Sequence, residues 1–109
     1  MKQENTPLGA GLKLKVTLTE LGEGVHLRDC VYSLEFTAGS KSKTFNVDGD
    51  TVSDGITVID ADTVAVALDT GELDTGDLYL KATVTVPDTD FPTGSRKEIV
   101  HHNLHRSIV

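Results

Sequence analysis

Asp69-Thr70-Gly71, closing the apolar run Val66-Ala67-Leu68, and its repeat Asp74-Thr75-Gly76 are the residues of this 109-residue chain that most invite a chemical reading. A carboxylate held on a tight turn can share one proton with a second carboxylate close by, so a symmetric pair of chains would assemble an acid–base dyad. Glu72 works against this, because another charge beside the dyad disturbs the shared proton. The immediate repetition favours a turn unit instead, with each Asp side chain bonding its own backbone. Cation ligation is the next chemistry to weigh. Asn46, Asp48 and Asp50 supply oxygens at alternate positions, as a calcium loop does, but Thr51 stands where glycine is required and Thr57 where the bidentate glutamate is required. Asp60 with Asp62, and Asp88 with Asp90, are further oxygen pairs. Asp48, Asp50, Asp60, Asp62, Asp88 and Asp90 are therefore the candidate ligands for a weakly held calcium ion, with Asx-turns as the competing reading.

The segment from Val66 to Gly71 resembles the catalytic loop of retroviral-type aspartic proteases, which would imply a homodimer with one loop from each chain. Glu72 departs from that family's pattern, which has a small residue there. His101, His102 and His105 place three imidazoles within five residues. On a strand, His101 and Asn103 share one face and His102 takes the other, so the cluster is scattered. No cluster of Cys, Asp or Glu at zinc spacing stands nearby. His26 is isolated. Cys30, at an inward strand position, reads as a small core hydrophobe with an inert thiol. There is no Gly-x-Ser-x-Gly elbow, phosphate loop or dinucleotide fingerprint. The sequence thus predicts no catalytic residue, no cofactor and no enzyme.

The elements that must carry these residues are strands. Val and Thr make up 26 of the 109 residues, and Asp outnumbers Glu by 11 to 6, a bias toward pleated surfaces and turns. Leu12, Leu14, Val16 and Leu18 alternate with polar residues on one half-buried strand. Cys30, Tyr32, Leu34 and Phe36 form the inner face of a second. Phe45 and Val47 follow in a third, with Lys41 and Lys43 expected in water, and Asp48-Gly49-Asp50 closes a hairpin. Residues 51–59 form a weaker strand broken at Asp54-Gly55. Val64, Val66 and Leu68 point inward on the next. Leu78, Leu80, Ala82, Val84 and Val86 define the longest strand, which Pro87 ends, and a last strand lies around Arg96 to His102. About seven strands with regular turns predict an all-β fold, a single immunoglobulin-like antiparallel sandwich, with a small closed barrel as the alternative. A flexible arm is expected over residues 1–10, the sandwich over 11–104 and a tail over 105–109.

Charge narrows the partners. The chain carries 10 Lys+Arg and 17 Asp+Glu, net −7, and residues 48–90 alone carry −10. An acidic chain with five aromatics and no basic stripe is not a nucleic-acid platform. The Asp-rich turns predict one acidic rim, able to dock a basic protein or a cation. No run is long enough to span a membrane and no secretory signal is present, so the expected location is cytoplasmic or virion-associated, with no membrane partner. The alternative role, a carbohydrate- or calcium-binding module, wants an aromatic platform, yet only Tyr79 is expected outward and there is no Trp.

The stretch Asp74-Thr75-Gly76-Asp77-Leu78-Tyr79-Leu80-Lys81, continuing through Val86-Pro87-Asp88-Thr89-Asp90-Phe91-Pro92-Thr93-Gly94-Ser95-Arg96, resembles short proteins encoded beside tail genes in prophages of Bacteroides-type bacteria. It is also similar to the immunoglobulin-like N-terminal domain of phage baseplate upper proteins. The shared feature is a polar turn, a long strand, an acidic Pro/Asp/Gly turn and a final strand. The resemblance implies a non-enzymatic structural module of virion assembly, whose partners are other tail proteins or further copies of itself. It carries over no site residues.

Overall fold

In the computed structural model, which describes residues 4–49 and 51–109, the alternating segments are strands with their apolar positions turned to one interior. Among the described residues nine strands form: β1 (Glu4–Thr6), β2 (Gly11–Thr17), β3 (Val31–Ala38), β4 (Lys41–Asp48), β5 (Thr51–Val52), β6 (Ile56–Val58), β7 (Thr63–Asp69), β8 (Gly76–Pro87) and β9 (Ser95–Ile108). They build a six-stranded sheet, β1-β9-β8-β3-β4-β5, and a three-stranded sheet, β2-β7-β6. Every pairing is antiparallel except that β1 runs parallel to β9. The order from β9 to β5 and from β2 to β6 is that of a variable-type immunoglobulin sandwich, GFCC′C″ over BED. The fold is therefore the antiparallel sandwich that the alternation predicts, held without tryptophan or disulfide, since Cys30 is free and buried.

Inner faces from both sheets fill the core. Leu34, Phe36, Leu78, Val84 and Val86 from the large sheet meet Val64, Val66 and Leu68 from the small one, and Phe36 stands edge-on to Phe45 at 5.9 Å. Residues 51–59 split where the sequence places a break. β5 stays with the large sheet, β6 joins the small one, and the chain crosses at Asp54-Gly55. Gly55 permits the crossing: at φ 96° a side chain there would be strained, and its Cβ would press on the Ala67 carbonyl at 3.0 Å.

Three expectations are corrected. Residues 4–6, placed in the loose arm, form β1, which pairs with Arg106–Ile108, and Thr6 and Ile108 are buried there. Residues 105–108, placed in the tail, are consequently the end of β9. A bulge hides that continuation, because the register passes from Tyr79 opposite Asn103 to Asp77 opposite Ser107, with His105 at φ 53°. The third concerns Lys43: Lys41 is exposed as expected, whereas Lys43, sharing parity with Phe45 and Val47, lies half-buried on the inner row at the sheet margin, opposite Phe36. There the Lys43 ammonium sits 5.8 Å from the centre of the Phe45 ring and 3.3 Å from the Glu72 carboxylate.

The registers also sort the loops by end. Val31 lies opposite Thr85, Tyr32 opposite Val47, Thr17 opposite Thr63 and Pro87 opposite Ser95. Segments 18–30, 59–62 and 88–94 and the β4–β5 turn therefore gather at one end, and segments 7–10, 39–40, 53–55 and 70–75 at the other. Nine of the ten Asp of residues 48–90 are described, and they divide five to four between these ends, not onto a single rim.

Candidate interaction surface

The tandem Asp-Thr-Gly becomes a single 3-10 turn over Thr70–Glu72, capped by Asp69, and a bend at Thr75 that leads into β8. The Asp69 carboxylate accepts from the Gly71 N–H at 2.8 Å, and Thr70, fully buried, donates its hydroxyl to the Ala10 carbonyl at 2.6 Å and accepts from the Gly9 N–H at 2.9 Å. Asp74 accepts from the Thr75 N–H at 2.8 Å and from the Ser40 hydroxyl at 2.9 Å. The Thr75 N–H first, and the Ser40 hydroxyl after it, hold the Asp74 carboxyl below the usual carboxylate range. Both carboxylates thus close their own loops, and Thr70 fastens the segment before β2 to the turn after β7.

The five described calcium candidates, Asp48, Asp60, Asp62, Asp88 and Asp90, come to one end of the sandwich but do not converge on one site. Asp48 sits at the end of β4, and Asp50 lies outside the described residues. Asp60 accepts from the Asp62 N–H at 2.9 Å, which is the main cause of its lowered pKa. Asp62 takes the His26 Nδ1 at 3.1 Å and the Leu27 N–H at 3.4 Å. Asp88 accepts from the Asp90 N–H and from the Arg96 Nε, each at 3.0 Å. Among the described residues no three His, Cys, Asp or Glu side chains converge as a metal site would require. The histidines scatter as the strand pattern predicts, His101 sharing the outer row with Lys81 and His102 the inner row with Leu80. Burial pushes the Cys30 thiol up, with Asp29 adding to it. Two aromatics are exposed, Tyr79 on the outer face of the large sheet and Phe91 in the turn after β8, and being apart they make no platform.

Two features escape a reading of the sequence. Arg96, on the inner row of β9 opposite Val86, reaches Asp88, pairs with Glu98 and donates to the Leu21 carbonyl at 2.6 Å. It thereby ties segment 18–30 to the turn between β8 and β9. The signal was a lone Arg at an inward parity position, visible only once the register is known.

The second feature is an open side. β2 is the edge of the small sheet on the β9 side, β6 being the other edge, and β1 covers only the last three paired residues of β9, Arg106 to Ile108. Leu18 N–H bonds to the Asp62 carbonyl and Thr70 N–H to the Ala10 carbonyl, so even-numbered residues of β2 face β7 with their backbone groups. The N–H and C=O of Gly11, Lys13, Lys15 and Thr17 consequently point to the free edge. Between that edge and β9 lies a groove of about 250 Å³ with Val16, Leu18, Leu80, Ala82, Val100 and Leu104 among its walls. Leu12, Leu14 and Leu18 are only half-buried, because nothing on that side covers them among the described residues.

No described helix is long and apolar enough to cross a membrane. No family model matches the chain, and a search of curated proteins also finds no match.

Proposed function

We propose that this chain is a non-enzymatic structural and interaction module that works by docking another protein, in the tail or baseplate of a phage. The observation that carries the reading is the open side between β2 and β9, where free backbone groups and an apolar groove lie together. Strand addition uses that pairing of features: main-chain bonds hold the guest and alternate side chains fill the groove. The polar clusters that a catalytic reading needs are occupied in closing turns, which supports docking over turnover. The turn–strand–turn resemblance of residues 74–96 supports the virion setting. Light scattering after gel filtration of the purified chain, alone and mixed with purified products of the genes flanking its own, tests the reading. A complex of fixed stoichiometry with a tail or baseplate protein is expected. A chain that joins none of them, or that turns over a substrate, overturns it.

A further inference from the structure

Resting on that reading, we infer that the guest at the free edge of β2 is an extended segment in which aliphatic residues alternate with Asp or Glu. Parity determines the pattern. In a strand paired with β2, residues opposite Leu12, Leu14 and Val16 turn to the inner face, and at the Val16–Leu18 end that face opens onto the groove, where Leu80, Val100 and Leu104 wait for aliphatic side chains. Residues opposite Lys13 and Lys15 face outward beside those two ammonium groups. Neither lysine has an ion pair among the described residues, and β2 carries no acidic residue. Opposite charges across a strand pair stabilise it, and like charges destabilise it. The same rule disfavours a second copy of β2 at this edge. Because the unpaired groups of β2 belong to its odd residues, an antiparallel β2–β2 pair would set lysine against lysine. A basic guest fails likewise.

The test uses the full chain, labelled with nitrogen-15, and two blocked synthetic peptides of equal length, one alternating Val with Glu and one alternating Val with Lys. The acidic peptide is expected to shift the amide signals of Lys13, Lys15, Thr17 and Val100 and to slow exchange of the Lys13 and Lys15 amides about tenfold or more. It should bind about tenfold more tightly than the basic one. The double variant Lys13→Glu/Lys15→Glu should reverse that order. Lys15→Pro removes one free-edge donor and leaves the bonds to β7 intact, so it should keep the melting temperature while losing the peptide. Equal binding of both peptides, signals that move elsewhere, or no binding of either overturns the inference. If the flanking-gene partner still binds Lys15→Pro at full affinity, this edge is not its site, although the docking role stands. If no partner binds the parent chain at all, the role itself falls.

Discussion

Thr70 is the residue where a motif with a chemical look does purely structural service. Its buried hydroxyl joins two segments sixty residues apart in sequence, through the Ala10 carbonyl and the Gly9 N–H. Replacing it by valine keeps the shape, removes the partner of the Gly9 N–H and leaves the Ala10 carbonyl only the Thr70 N–H. Thr70→Val is expected to lower stability by about 1–3 kcal/mol in urea titration, and Thr70→Ser, which keeps the hydroxyl, by less. The neighbouring carboxylates set an acid limit. Asp60 and Asp74 have folded pKa values depressed by hydrogen bonds to their ionised forms. A depressed pKa contributes stability at neutral pH, and that contribution is lost as pH falls through the usual carboxylate range and below it. Melting curves from neutral pH down to about pH 3 should therefore fall more steeply for the parent than for Asp60→Asn/Asp74→Asn, which starts lower and changes less. A parallel decline in both would mean that these two turns do not govern the acid limb.

At the level of elements, the strands with the cleanest alternation are the ones legible in sequence. β8 is correctly read from Leu78 to Val86, including its end at Pro87, an edge of pairing where a missing N–H costs nothing. β7 is legible through Val64, Val66 and Leu68. β1 was not, because three residues hold too little pattern, and the last third of β9 was not, because the bulge around His105 resets the parity. The candidate site was less legible still. Alternation says which face of β2 is apolar but not that its outer edge has no neighbour, which is a property of topology. The registers make that edge measurable. Asp88 N–H bonds to the Gly94 carbonyl, so even residues of β9 face β8 and odd ones face out. Amide exchange should alternate along β9, slow at Glu98, Val100 and His102 and fast at Lys97, Ile99 and His101, with the same alternation along β2 between Leu12 to Val16 and Lys13 to Thr17. Uniform protection along either strand would show that its edge is paired. In the core, Phe36→Ala removes the ring that faces Phe45 and should cost about 3–5 kcal/mol in urea titration.

The whole molecule carries net −7, and its Asp residues crowd both ends of the sandwich. Two electrostatic effects then compete. Contact pairs such as Arg96 with Asp88 at 3.0 Å and Lys43 with Glu72 at 3.3 Å stabilise the fold, while repulsion among the loop carboxylates opposes it. Distance decides between them under added salt. The screening length is about 30 Å at 0.01 M and still about 3 Å at 1 M, so salt removes repulsion between separate loops well before it dissolves pairs in contact. Exposed pairs are in any case worth only about 0–1 kcal/mol each. The melting temperature should consequently rise between about 0.01 M and 0.5 M sodium chloride. Asp48→Asn/Asp90→Asn, which changes two exposed carboxylates at one end, should raise the low-salt melting temperature by about 2–4 °C and flatten the salt response. A melting temperature that falls with salt would mean that the contact pairs, above all the Arg96 cluster, dominate the electrostatics of the fold.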